Sequence, residues 1–224
     1  MGQGVIVVPH GGAAPPGMVE IGTCIRSICL DPWTFFCASD SKKLKSGCCL
    51  TGADPSLMIR VICANKMFFA DVDAPKEIVS VWRLSLENRK KFEDENLKNV
   101  AAYCSGNRDM LVRVYRTAKG LRYLNSSFEI DPLSEFSDKS LEAFGADEVY
   151  RQLCVKYKAY RARVEPKPWR VKRAKLKDPN AKFRTCQLID IIGSGQQNPA
   201  FDFLIKTHDD YSLALDQNDE LVLA

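Results

Sequence analysis

The stretch LVRVYRTAKGLRYLNSSF, residues 111–128, has the pattern of a β-hairpin. Two runs rich in β-branched and aromatic residues flank Ala118-Lys119-Gly120, where the glycine permits a tight turn. Side chains alternate along the first run, so that one face would carry Arg113, Tyr115 and Thr117 and the other Val112, Val114 and Arg116. The pattern therefore predicts two adjacent antiparallel strands.

Further elements are predicted on both sides of this hairpin. Before it, MFFADVD (67–73) is typical of a strand, and apolar residues recur at helical spacing over 86–104. After it, a second helical region, interrupted at Gly145, precedes the strand RARVEP (161–166). The order strand, helix, strand, strand, helix, strand predicts an α+β fold with a ferredoxin-like or RNA-recognition-like split βαβ core. In such a core an antiparallel sheet carries its helices on one face and leaves the other face free.

The chain would then consist of this core and two flanks. We assign residues 59–165 to the α+β core and residues 1–58 to a Cys-rich N-terminal extension packed on it. Residues 166–224 would form a basic linker and a C-terminal β-rich extension of the same domain. In that extension we expect a hairpin around 208–210, with His208 in a loop or, beside Asp209, acting as an acid or base.

The cysteines point to an intracellular protein. The chain has nine of them, no recognisable secretion signal and no apolar run long enough to span a membrane, so we expect a cytoplasmic protein with reduced thiols. Five cysteines lie between residues 24 and 49, but they include no C-x-x-C pair. Both histidines, His10 and His208, are distant from them in sequence. The spacing therefore does not favour a structural zinc site.

Positive charge is concentrated in one segment. Residues 151–184 contain thirteen Lys or Arg against two acidic residues, whereas the whole chain carries a net charge of only +4. Such a concentration favours a polyanionic partner, most simply a nucleic acid or a nucleotide, although a solvated charged face is the alternative.

Two acidic residues close the first strand of the predicted core. Asp71 and Asp73 are two positions apart and therefore face the same way on a strand. Carboxylate pairs of this kind can bind one or two divalent cations, Mg²⁺ or Mn²⁺, together with substrate phosphates. A salt-bridged strand end or a turn before Pro75 is the alternative. Glu129, Asp131, Asp209 or Asp210 would have to supply a third carboxylate.

Two basic groups are candidate phosphate or nucleic-acid sites. Arg116, Lys119 and Arg122 bracket the glycine turn of the hairpin, where they could grip phosphates or simply form an ordinary charged hairpin. In the segment YRARVEPKPWR, basic residues alternate with aromatic ones, a pattern suited to backbone phosphates and a stacked base. Its candidate nucleic-acid-binding residues are Tyr160, Arg161, Arg163, Lys167, Trp169 and Arg170. The alternative here is a packed tryptophan beside surface arginines.

A known family has a similar set of motifs. An acidic D-x-D closing an apolar strand, followed some forty residues later by an hR-T-x-x-G-hR-h hairpin, resembles the primase-polymerase domains of the archaeo-eukaryotic primase superfamily over about residues 60–165. The resemblance implies that Asp71 and Asp73 bind the metal and that the hairpin contacts the phosphates of an incoming nucleotide. That family's second motif normally carries a histidine, whereas this hairpin has Arg122.

Two functions are therefore expected. The first is a divalent-metal-dependent, primase-like nucleotidyl- or phosphoryl-transfer enzyme, with Asp71 and Asp73 as catalytic metal ligands. The second is a non-catalytic nucleic-acid-binding module that uses the open sheet face and the basic segment 151–184. An interaction protein whose basic segment meets an acidic protein surface is a third reading. No P-loop, dinucleotide-binding or nucleophile-elbow motif is present in the sequence.

Overall fold

A computed structural model describes residues 20–25, 58–75, 79–80, 83–218 and 220–224. The strands are β1 Glu20–Ile25, β2 Met58–Ala64, β3 Phe69–Asp73, β4 Val79–Ser80, β5 Arg83–Leu84, β6 Leu111–Thr117, β7 Gly120–Asn125, β8 Tyr160–Arg163, β9 Phe183–Arg184, β10 Cys186–Gly193 and β11 Val222–Leu223. The helices are α1 Leu86–Gly106, α2 Glu135–Ala143, α3 Glu148–Tyr157, α4 Pro168–Lys175 and α5 Asp202–Ser212. A 3-10 turn, Pro199–Phe201, precedes α5.

The structure is a mixed α/β fold with antiparallel sheets, as the sequence predicted at the level of fold class. The larger sheet has the strand order β10-β6-β7-β3, and the second has the order β1-β2-β8. The remaining strands of the described residues form two short two-stranded sheets, β11 with β9 and β4 with β5. From β3 to β8 the elements follow the predicted order except that the short strands β4 and β5, which were not predicted, lie between β3 and α1. Helices α2 and α3 together form the second helical region.

The strands β3 and β8 lie close together, although β8 forms its hydrogen-bonded ladder with β2. Tyr150 of α3 links them, since its hydroxyl donates to the carbonyl oxygen of Phe69 at 3.0 Å and accepts from the amide of Arg161 at 3.3 Å. The two sheets therefore meet along β3 and β8, which places the ends of both strands at one site.

One face of the larger sheet is covered by α1 and α2. Val112 and Val114 are buried on this face, as the predicted alternation required. The ring of Tyr123, which pairs with Val114 across the hairpin, lies 5.2 Å from the ring of Phe144 at the end of α2. Burial of these apolar side chains provides the core on which the sheet depends.

The other face, which we expected to be free, is covered by α5 in the region of β6, β7 and β3. The ring of His208 lies 4.7 Å from that of Tyr115 and 5.8 Å from that of Phe69. The predicted hairpin around 208–210 is therefore wrong, and His208 is a buried helical residue. Residues 201, 204, 205, 208 and 212 are buried at helical spacing, which explains why this segment folds as a helix.

The flanks differ in part from their predictions. The segment expected to be a linker contains α4, with Pro168 at its first helical position, where proline is favoured. The Cys-rich stretch 26–57 lies outside the described residues, so the prediction about a zinc site there falls on residues that the structure does not describe. Cys104, Cys154 and Cys186 are buried free thiols, as expected of reduced cysteines. Within the part of the chain that the structure describes, each helix is too short or too polar to cross a bilayer.

Candidate phosphate-binding site

A pocket lies where β3, the β6–β7 turn and the start of α4 meet. Its lining unites residues that the sequence placed in three separate motifs. The lining residues are Asp71, Asp73, Thr117, Ala118, Lys119, Leu121, Arg122, Arg163, Lys167, Arg170, Thr185 and Ala224. The acidic pair, part of the hairpin and part of the basic segment therefore share one site.

Asp71 and Arg122 form an ion pair at the base of this pocket. They are direct partners across β3 and β7, and the guanidinium donates from Nε to Oδ1 at 2.6 Å and from Nη2 to Oδ2 at 2.9 Å. The Arg122 side chain is only 1% exposed, whereas that of Asp71 is 37% exposed. Burial by itself would raise the pKa of Asp71, but the Arg122 guanidinium lowers it below its ordinary value. Arg122 thus holds a charged carboxylate at the pocket surface.

A buried polar chain continues from Arg122 beneath α5. Its Nη1 donates to the carbonyl oxygen of Arg163 at 2.7 Å and lies 3.3 Å from Nε2 of His208. Nδ1 of His208 is 3.0 Å from Asp209, which in turn accepts a 2.8 Å hydrogen bond from Arg113. Both contacts of His208 are satisfied if the ring is neutral, with Nδ1–H donating to Asp209 and Nε2 accepting from Arg122. We assign this tautomer from the hydrogen-bonding pattern.

The neutral state of His208 predicts a loss of stability in acid. Burial, followed by the adjacent Arg122 cation, lowers the pKa of His208 below 6.5. Because the unfolded chain then binds more protons than the native state, the free energy of unfolding should fall as pH drops below about 6.5. Urea unfolding at a series of pH values measures this slope. The unfolding free energy of the His208→Gln variant should depend less steeply on pH than that of wild type. His10 is present in both proteins and therefore cannot account for the difference. Identical pH profiles for the two proteins would contradict the assignment.

The opposite wall of the pocket is strongly basic. Arg163, Lys167 and Arg170 line it, and among the described residues no carboxylate forms a salt bridge with any of them. Burial, reinforced by the neighbouring cations, lowers the pKa of Arg163 to about 10 and that of Lys167 to about 8. Burial also lowers the pKa of Arg170. Arg163 and Lys167 are thus destabilised by burial and by neighbouring cations, and the attraction of Asp73, which acts on all three cations, offsets this only in part.

Two further donors face this wall. Thr185 is 4% exposed and lines the pocket with a hydroxyl that has no hydrogen-bond partner in the part of the chain that the structure describes. Helix α4 begins here with Lys167 as its N-cap, without a side-chain cap and without an acidic residue in its first turn. The helix macrodipole gives this end partial positive charge, although Pro168 has no N–H and the amide of Arg170 donates to the carbonyl oxygen of Lys167. The wall thus combines formal cations, a helix end and an unused hydroxyl.

The predicted site residues do not all reach this pocket. Asp71, Asp73, Lys119, Arg122, Arg163, Lys167 and Arg170 line it. Arg116 instead lies on the α1 face, where Glu93 accepts from its Nε and Nη2 at 2.7 Å each. Arg122 is occupied by Asp71, so Arg116 and Arg122 do not form the expected phosphate grip with Lys119.

The aromatic residues of the basic segment also separate. Tyr160 is fully buried and its hydroxyl donates to Ser137 at 2.7 Å, which leaves its ring no free face for a base. Arg161 lies over the ring of Tyr157, 4.4 Å from the centroid. Trp169 is 39% exposed at the start of α4, with the amine of Lys167 5.5 Å from its ring centroid. Of the two predicted stacking residues, only Trp169 is accessible.

As they lie, Asp71 and Asp73 do not fit a divalent cation. Mg²⁺ and Mn²⁺ require several oxygen ligands, but both Asp71 oxygens already accept from Arg122, and the other charged groups of the pocket are cations. Nowhere in the described residues do three His, Cys, Asp or Glu side chains converge to hold a metal ion. Metal binding therefore stays a prediction from the sequence.

The candidate third carboxylates lie elsewhere. Glu129 pairs with Lys66, Asp210 with Lys206, and Asp209 with His208 and Arg113, while Asp131 accepts from the amide of Leu133 in a turn.

Sequence reasoning missed Thr185, for which no local pattern gives a signal. It also missed the burial of His208, which the helical spacing of Phe201, Leu204 and Ile205 could have indicated.

No protein-family model, curated protein or solved structure matches this chain. The resemblance to primase-polymerase domains therefore rests on the two motifs quoted above. What the pocket can bind has to follow from its own charges and geometry.

Proposed function

We propose that this pocket binds the phosphate groups of a nucleotide or nucleic acid, on a primase-like split βαβ core. The observation that carries the proposal is the imbalance of charge. Lys119, Arg163, Lys167 and Arg170 face the same space, the Asp71–Arg122 pair is neutral, and among the described residues Asp73 is the remaining carboxylate side chain of the lining. A ligand with several negative charges would relieve the repulsion among these cations.

The chemistry of the donors favours phosphate. Guanidinium groups match phosphate oxygens with two parallel N–H donors, and a lysine amine adds a point charge. The partial positive charge at the N-terminus of α4 adds to that of these side chains. We therefore favour a binding function over a metal-dependent reaction, since Asp71 is already paired with Arg122; the metal-dependent reaction stays a prediction.

The test is a double substitution on the basic wall. Lys167→Gln/Arg170→Gln should weaken binding of both ATP and a short oligothymidylate by about 100-fold, since each charge-assisted hydrogen bond contributes roughly 1.5–3 kcal/mol. Isothermal titration calorimetry and fluorescence anisotropy measure the two affinities. The variant should be at least as stable as wild type, because the substitution removes two cations that repel their neighbours.

The matched control is Lys90→Gln/Lys91→Gln, which removes the same charge from exposed positions on α1. This control should bind both ligands almost as well as wild type. The proposal fails if wild type binds neither ligand at low salt, or if the pocket variant binds both as tightly as the control.

A further inference from the structure

Helix α4 has no fully buried residue, although Val171 and Ala174 are half-buried. Its eight residues, PWRVKRAK, include four cations and no acid, and no residue of the helix is buried. Helices of this length are marginal in isolation, and most owe their stability to an apolar face packed on a core. Like charges three residues apart, such as Arg170 with Arg173, weaken it further. An anionic partner along this helix would supply the missing stabilisation.

The cations of α4 continue directly from the pocket. Arg170 lines the pocket, Arg173 follows it at position i+3 on the same side of the helix, and Lys177 lies in the turn directly after the end of α4. Arg173 and Lys177 are exposed, and no acidic residue occurs between Glu165 and Asp178. We call Arg170, Arg173 and Lys177 the α4 stripe. It extends roughly 10 Å from the pocket, given a rise of about 1.5 Å per residue.

An aromatic side chain stands beside the start of this stripe. Trp169 is 39% exposed, next to both Lys167 and Arg170 in the chain. An accessible indole beside cations suits a base that stacks while its phosphates are bound nearby. Bases are available for stacking in a single strand, whereas those of a duplex are already stacked and paired.

From this arrangement we infer that the ligand is a single-stranded nucleic acid, whose backbone follows the α4 stripe into the pocket and whose base stacks on Trp169. This inference rests on the proposed phosphate-binding function. A free nucleotide would engage the pocket alone, whereas a strand would engage the pocket and the stripe together.

The experiment separates the stripe from the pocket. Arg173→Gln/Lys177→Gln should leave ATP affinity unchanged but weaken oligothymidylate binding by about 25-fold at roughly 0.1 M salt. This factor follows from the loss of two phosphate contacts, which should also lower the slope of log K against log[salt] by about 1.4. Lys90→Gln/Lys91→Gln serves again as the control, with no change expected in either quantity.

A second variant tests the form of the nucleic acid. Trp169→Leu should weaken oligothymidylate binding by about tenfold, as expected for one lost stacking contact, and leave duplex DNA binding unchanged. Duplex DNA should bind more weakly than the single strand to wild-type protein. The inference is overturned if the stripe variant retains full oligothymidylate affinity while ATP still binds, or if duplex DNA binds as tightly as the single strand. Failure of ATP and oligothymidylate alike to bind wild type would instead remove the proposed function.

Discussion

Asp71→Asn is expected to lower the free energy of unfolding by about 3–5 kcal/mol, the range found when one partner of a buried ion pair is removed. Arg122 is almost completely buried, and Asp71 is its only carboxylate partner among the described residues. The asparagine amide retains one acceptor oxygen but not the charge, so the guanidinium would stay buried beside Arg163 and His208 without compensation. Urea or thermal unfolding followed by circular dichroism measures the loss.

The matched control is Asp73→Asn on the same strand. Asp73 is exposed and forms no salt bridge within the described residues, so its replacement should change stability by no more than about 0.5 kcal/mol. Equal stabilities of the two variants would contradict the view that Asp71 is needed to neutralise Arg122. Removing both partners, as in Asp71→Leu/Arg122→Leu, should cost less than the sum of the single changes.

This expectation changes how an activity test must be designed. Loss of function in an Asp71 variant would not identify a metal ligand, because the variant would be destabilised whether or not a metal binds. Asp73→Asn is the more informative substitution. In a phosphate-binding pocket it should strengthen anion binding, since it removes a carboxylate that attracts Arg163, Lys167 and Arg170 and competes with the anion for them. At a metal site it should instead reduce activity.

Gly120→Ala is expected to destabilise the protein by about 3 kcal/mol, at the upper end of the usual cost of overpacking. A Cβ atom at this position would lie 1.9 Å from the carbonyl oxygen of Val72 and 3.0 Å from the Cα of Asp73. Both neighbours are backbone atoms of β3, so no side-chain rotation can relieve the clash. The β3–β7 ladder would have to open, which would displace Asp73 and Lys119 from the pocket. Unfolding free energy and ATP affinity should therefore fall together.

The control for this prediction is Gly106→Ala at the end of α1. No atom lies within 4 Å of a Cβ built there, and the residue is exposed. Alanine restricts the unfolded chain more than glycine does, so the variant should be as stable as wild type or more stable by up to about 1 kcal/mol. Comparable losses in the two variants would mean that the effect at Gly120 is not steric. Gly120 is thus needed for the close approach of β3, in addition to the tight turn that the sequence indicated.

Part of the site could be predicted from the sequence because the relevant patterns are local. The concentration of cations after Arg151 and the two carboxylates at the end of an apolar strand are visible in the chain itself. The pairing of Arg122 with Asp71 is not, because it depends on the register between β3 and β7. A shift of one residue would turn one of the two side chains to the other sheet face.

The contrast between Arg116 and Arg122 has the same cause. The two arginines bracket one turn and look equivalent in the sequence, but they point to opposite faces of the sheet. Arg116 meets Glu93 of α1, whereas Arg122 meets Asp71 and the residues of α5. Which helix covers each face is decided by packing between elements far apart in the chain, and no local pattern records it.

The sequence by itself determined the types and order of the elements from β3 to β8 apart from the short strands β4 and β5, the alternation along β6 and the basic character of the segment around α4. These follow from periodicity, turn residues and charge, which act over a few residues. Only the tertiary structure decided that α5 covers the second sheet face, that Arg122 serves Asp71, and that Arg163, Lys167 and Arg170 share a pocket with Asp73. Those outcomes depend on strand register and on the burial of an ion pair. The ion pair stabilises the protein only when distant parts of the chain have been brought together.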